Sequence, residues 1–198
     1  VMMDQRWATT YGGDVPATVI TYAFPDSTDA YLQTPGGYPE DGSAGGSVDD
    51  DDDVAPITSF APATDLQKEG VRAAMGLVSS YTNLVFVEVT ADEAATATFR
   101  FAAYGNGGSE SRFPPNSDGN YNPSDYRSAG DTWLGGNGTP PSAAFYGTDH
   151  FNTIMHEMGH AFGLKHGHDI GFDRTLTADR NDNEFSVMTY ASYIGADS

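Results

Sequence analysis

Hydrophobic and polar positions change their period along the chain, and the changes mark its elements. Val15 to Phe24 reads as a strand, because Val19, Tyr22 and Phe24 are β-formers and Pro25 ends the run. Asp26 to Pro56 is polar and rich in Gly, Ser, Pro and Asp, which predicts a long surface loop. Thr64 or Asp65 caps a helix that runs to about Tyr81. Leu66, Val71, Ala74, Met75 and Val78 fall on one face of that helix and read as core. Leu84 to Val89 is a short apolar run suited to a buried strand. Ala97 to Tyr104 alternates, with Phe99 and Phe101 on one side and Arg100 on the other, and predicts another strand. Gly105 to Gly130 is punctuated by Gly, Asn, Pro and Ser, with a short exposed edge strand expected at Ser111 to Phe113. Gly130 to Leu134 reads as the last strand.

Thr148 or Asp149 then starts a strongly patterned helix that runs to about Phe162. Gly163 follows, a residue that stops a helix by taking φ > 0. Beyond it the chain is mostly loop, with a helix re-forming after Tyr190. No internal repeat is visible. The order of elements predicts an α+β domain. A twisted mixed sheet of about five strands, mostly parallel with one antiparallel edge, packs with two long helices. Residues 1–198 suffice for one domain with a core, with an upper lobe of about 1–163 and a small irregular lower lobe of about 164–198.

Composition narrows the partners. Nine Lys and Arg against 28 Asp and Glu give a formal charge of −19. That surface repels nucleic acid and anionic membranes and favours cationic partners, calcium among them. Two segments invite a calcium reading. The run Asp49 to Asp53 is five adjacent like charges, the pattern of a solvated loop. Asn116, Asp118, Asn120 and Asn122 alternate as oxygen ligands could, without the closing bidentate Glu of an EF-hand. Cysteine is absent, which excludes disulfides, thiolate chemistry and Cys-based zinc sites. No apolar run is long enough to span a bilayer, so membrane insertion is not expected. The opening residues Val1 to Trp7 lack a charged segment followed by an apolar one, so export would rest on a leader already removed or a signal elsewhere.

The chemistry is concentrated in one window. All five histidines lie between His150 and His168. His156 and His160 stand at i and i+4 of the second helix, on one face and one turn apart, where two imidazoles can reach a single zinc. Glu157 is rotated away from the first ligand and can approach a metal-bound water without entering the coordination shell. Gly163 permits a sharp turn back toward the metal, and His166 then supplies a third imidazole. Three neutral nitrogen ligands with one open position make a catalytic site, not a closed structural one. The full string His156-Glu157-Met158-Gly159-His160-Ala161-Phe162-Gly163-Leu164-Lys165-His166 fixes a glycine and a third histidine at set offsets, which a bare HExxH does not.

This string resembles the metzincin clan of zinc endopeptidases. The clan implies a methionine turn downstream, and Ser186-Val187-Met188-Thr189-Tyr190 supplies one, with Met188 as an apolar floor beneath the zinc. The pattern Phe185 to Tyr190 is most similar to the serralysins, secreted bacterial proteases. The likeness extends to Arg6-Trp7, Ile20 to Phe24, the Leu66 to Ser80 helix, Asn83 to Val89, Thr98 to Phe101 and Gly130 to Leu134, in the family's order. It implies zinc-dependent cleavage of protein or peptide substrates by a secreted, extracellular monomer open to a proteinaceous inhibitor. Glu157 would be the general base. Tyr190 would be a fifth zinc ligand at rest and an oxyanion donor during turnover. The Ser111 to Phe113 edge would pair with an extended peptide. Two departures stand out. Gly167-His168-Asp169 follows the third histidine where serralysins place proline; His168 reads as a surface residue and Asp169 resembles an aspartate that anchors the lower lobe. The glycine- and aspartate-rich calcium-binding β-roll of the family has no repeat in this chain. The expected cofactors are Zn2+ and, as a second candidate, Ca2+. Three readings compete: a module that holds zinc but only recognises a partner, marked by loss of Glu157 or Tyr190; a structural metal protein, marked by a closed site; and zinc hydrolysis of small esters or amides, against which the extended motif favours peptide bonds. The residues present favour the enzyme.

Overall fold

The computed structural model describes residues 18–32, 56–105, 108–112, 114, 128–135, 146–169 and 175–191. The acidic run 49–53, the alternating Asn/Asp segment 116–122, Arg6-Trp7, Phe113 and the helix expected after Tyr190 lie outside them.

The protein is a mixed α+β domain built on a twisted mixed sheet. Its strands are β1 (Thr18–Ala23), β2 (Phe60–Ala61), β3 (Leu84–Glu88), β4 (Phe99–Tyr104), β5 (Glu110–Ser111) and β6 (Asp131–Leu134). The order is β3-β1-β4-β6-β5. The β1–β3, β1–β4 and β4–β6 pairs are parallel. The β5–β6 pair is antiparallel. So is β2–β4, which takes up Ala103 and Tyr104 beyond the end of β1. Among the described residues the sheet therefore has six strands and two antiparallel pairs, one of each beyond the expected mixed sheet of about five strands. A two-residue strand has no periodicity to read, which is why Phe60–Ala61 is silent in the sequence.

Among the described residues three α-helices accompany the sheet: α1 (Asp29–Leu32), α2 (Asp65–Tyr81) and α3 (Asp149–Ala161). Helix α2 starts at a full capping box. Thr64 Oγ1 accepts from Gln67 N while Thr64 N donates to Gln67 Oε1 at 2.8 Å. The start of α3 is capped by Thr148, whose hydroxyl accepts from Phe151 N. Both helices pack on one face of the sheet. Val71, Ala74 and Met75 of α2 and Phe151, Ile154, Met158 and Ala161 of α3 bury against Ile20, Tyr22, Phe99, Phe101 and Leu134.

The other face carries a second, smaller core of Tyr31, Ile57, Ala102 and Trp133. Tyr31 stacks on Trp133 with ring centroids 4.8 Å apart. Here the structure departs from the expected Asp26 to Pro56 loop, since Asp29–Leu32 is helical and Tyr31 is fully buried. One aromatic in a polar stretch gives no helical stripe, yet it is enough to cover Trp133. The same layer explains Arg100, which lies on the side of its strand opposite Phe99 and Phe101 and is buried. Its guanidinium donates from Nε to Asp131 Oδ1 at 2.6 Å, from Nη2 to Asp131 Oδ2 at 3.1 Å and from Nη1 to Ala30 O at 3.2 Å. Strand β3 was expected to be buried. It is the sheet edge among the described residues, with Val85 and Val87 more than 40% exposed, because no layer covers its outer face there. No described helix is long and apolar enough to cross a membrane.

Removing one partner of a buried, bidentate ion pair strands the other charge in a dry layer. Asp131→Ala should therefore cost ~3–5 kcal/mol in urea unfolding. Arg72 and Glu88 form a partly exposed pair at 2.6 Å, and Arg72→Ala should cost ~1 kcal/mol or less. Tyr22 donates to Glu88 at 3.1 Å, and burial together with that carboxylate pushes the phenol from 10.0 up to about 12. The unfolded chain then releases its proton first. Stability from this group is complete below about pH 10 and is lost as pH rises toward about 12. Tyr22→Phe should flatten that alkaline decline in pH-dependent unfolding.

Candidate metal centre

Helix α3 sets the first two imidazoles. His156 and His160 lie one turn apart and are 7% and 6% exposed. Their rings meet edge to face with centroids 4.7 Å apart. The helix then stops in a Schellman turn: Leu164 N donates to Gly159 O and Gly163 N to His160 O, both at 2.8 Å. Gly163 takes φ 92°, a conformation an L side chain resists. That reversal returns His166 to the helix face it has just left.

The three Nε2 atoms form a triangle with every side 3.1 Å. Behind it each Nδ1 faces an oxygen. His156 Nδ1 donates to Val187 O at 2.7 Å and His160 Nδ1 to Leu164 O at 2.8 Å. His166 Nδ1 stands 3.4 Å from Asp169 Oδ1. A carbonyl can only accept, so His156 and His160 carry their protons on Nδ1 and turn Nε2 lone pairs inward. Lone pairs at that spacing repel one another, and a shared cation relieves them. Two nitrogen ligands of a tetrahedral zinc at ~2.0–2.1 Å stand roughly 3.3–3.4 Å apart, so the triangle fits such an ion with little adjustment. Burial, opposed at His156 by its bond to Val187, lowers the pKa of that imidazole. Burial and the neighbouring imidazoles bring His160 down to about 3. Both rings are therefore neutral, the form that ligates metal.

Residues 186–190 close the site from below. Met188 is 4% exposed and packs directly on Gly159; a Cβ at that glycine would overlap Met188 Sδ. Met188 O also accepts from Gly167 N at 3.0 Å, tying the segment to the residue after His166. Tyr190 is 62% exposed and its hydroxyl lies 2.7 Å from His166 Nε2. The phenol therefore stands against the inward side of the triangle, at its solvent mouth.

A cavity of about 400 Å³ opens over this arrangement, walled on one side by Ser109, Glu110, Ser111 and Arg112 and on the other by Glu157, the histidines and Tyr190. Glu157 is 6% exposed; burial first and then the Glu110 carboxylate push its carboxyl up to about 8. A cation in the triangle acts the opposite way and favours the carboxylate. Glu110 was not singled out in the sequence, because its neighbourhood to Glu157 arises only when β5 packs beside α3. Its own carboxyl is pushed up by burial and held back by Arg112, 3.3 Å away. His168 lines the same cavity with its side chain 45% exposed. Asp169 Oδ2 accepts from His166 N at 2.8 Å and so pins the third imidazole's backbone.

No family model and no curated protein matches the chain. The chain is similar to two solved structures of myroilysin. One gives a TM-score of 0.44 at 17% identity over 86% of this chain and 50% of that one; the other gives 0.42 at 18% over 85% and 48%. The chain thus spans about half the length of those proteins.

Because a Cβ at Gly159 would overlap Met188 Sδ, Gly159→Ala must shift the methionine or the helix. A destabilisation of ~1–3 kcal/mol is expected from such overpacking. Thermal unfolding with and without added zinc, compared with wild type, measures it.

Proposed function

We propose that this chain is a zinc-dependent endopeptidase domain of metzincin, serralysin-like type, acting on protein or peptide substrates. The observation that carries the reading is the triangle of three inward-facing imidazole nitrogens, open on the cavity side, with Glu157 beside it. His156, His160 and His166 would hold the zinc. When bound, the ion supplies Lewis acidity toward a water and the substrate carbonyl.

The chain's own groups do the remaining work. Glu157, buried on the cavity wall, takes a proton from the attacking water and delivers it to the leaving amine. Tyr190 would be a fifth ligand at rest. Its hydroxyl would donate to the oxyanion of the tetrahedral intermediate during turnover. Strand β5 borders the cavity and presents an edge with which an extended peptide could pair in the antiparallel sense. The walls narrow the approach of bulk water to the scissile bond. In this reading residues up to about 163 form the upper lobe and residues from about 164 the lower one. The domain acts outside the cell as a monomer, open to a proteinaceous inhibitor, and calcium is a further ion for the acidic loops.

The deciding experiment pairs elemental analysis with casein cleavage. Wild type and Glu157→Ala should each hold one tightly bound zinc, and only wild type should cut. Activity retained by Glu157→Ala would remove the assigned base. Tyr190→Phe should keep its zinc and lose ~10²-fold in kcat, the loss typical of one oxyanion donor. A chelator should abolish cleavage by wild type and zinc should restore it.

A further inference from the structure

Strand β5 ends the sheet, so one side of it pairs with β6 and the other is a free edge among the described residues. Its bonds to β6 fix which groups that edge offers. Arg112 N donates to Asp131 O at 2.8 Å and Arg112 O accepts from Gly130 N at 3.0 Å, so both backbone groups of Arg112 turn inward. Backbone direction alternates along an antiparallel strand. Ser111 therefore turns its N–H and C=O to the free edge, and Glu110 turns inward again. Glu110 stands opposite Trp133 and Ser111 opposite Thr132, which puts the Glu110 side chain on the Trp133 face of the sheet. Its Oε1 makes no hydrogen bond and lies 3.3 Å from Arg112 Nη2. The Glu110 side chain stays 34% exposed, where that of Arg112 is 15%.

We propose that Glu110 selects peptides carrying Lys or Arg at the residue that pairs with it across this free edge. The proposal deepens the endopeptidase reading and rests on it. An extended peptide lying antiparallel to β5 exchanges hydrogen bonds with Ser111 N–H and C=O. Its next residue then falls opposite Glu110 in a non-hydrogen-bonded pair, with Cα atoms ~4.5 Å apart. That register brings side chains closest, and the two point to the same face of the sheet. A basic side chain there reaches the carboxylate, and an acidic one is repelled. Arg112 does not cancel the charge, because the Glu110 carboxylate still helps to push Glu157 up across the cavity. Its partly buried setting is screened less by salt than an open surface would be. The formal charge of −19 steers cationic segments toward the protein in the same sense.

The test takes the whole chain loaded with zinc and a set of peptides that differ at one position, which carries Lys, norleucine or Glu. The varied position is moved through the residues flanking the scissile bond, and mass spectrometry locates each cut. At one position kcat/KM for Lys should exceed that for norleucine by ~10-fold, with Glu the poorest. Glu110→Gln should remove the Lys preference, and Glu110→Arg should reverse it in favour of Glu. Each preference is a ratio within one protein, so changes in folding, zinc content or Glu157 cancel. Equal rates for Lys and norleucine at every position in wild type, or a Lys preference kept by Glu110→Gln, overturn the proposal and leave the endopeptidase reading standing. Wild type that cuts none of the peptides overturns both.

Discussion

Three imidazole lone pairs pointed at one another are the constraint around which the described structure is arranged. One hydrogen bond from His166 cannot satisfy both of the others while His156 and His160 give their protons to carbonyls behind. The arrangement is tolerable in the fold because a cation can sit among the nitrogens. Holding it takes three separate devices: the helical spacing of His156 and His160, the Schellman turn that returns His166, and the returning segment at Val187 to Tyr190. Each device uses backbone groups that would otherwise lack partners. The imidazole triangle and the end of α3 are therefore one piece of hydrogen bonding.

The sheet's role is to keep α3 still and to put an edge beside it. Phe101 and Leu134 pack against the helix from below one face, and the Tyr31–Trp133 layer seals the other. A buried Arg100–Asp131 pair joins β4 to β6 inside that second layer. Strand β5, hydrogen-bonded to β6, then lies along the cavity and brings Glu110 toward Glu157. Burial and the Glu110 carboxylate raise the proton affinity of Glu157 there, and a cation opposes that rise. The site's electrostatics are thus a balance between sheet edge and helix, set by how closely β5 and α3 pack.

The convergence of the three imidazoles was legible in the sequence because its geometry is local. Spacings of four on a helix, a glycine with φ > 0 three residues on, and a histidine three further fix relative positions through backbone rules alone. The capped helices and strands β1, β3, β4 and β6 were legible for the same reason, each carrying its own period. What the sequence misjudged was burial. Arg100 alternates with phenylalanines and looks solvent-facing, yet it is buried by a layer whose decisive residue, Tyr31, sits alone in polar surroundings. Leu84 to Val89 looks like core and is an edge.

By itself, then, the sequence determined which side chains could converge on a metal and which segments would be helix or strand, since those follow from periods of a few residues. Only the tertiary structure decided which faces are dry, that Glu110 borders Glu157 and that Met188 packs on Gly159. Those contacts join segments whose separation along the chain carries no period, so they exist only once the layers have packed.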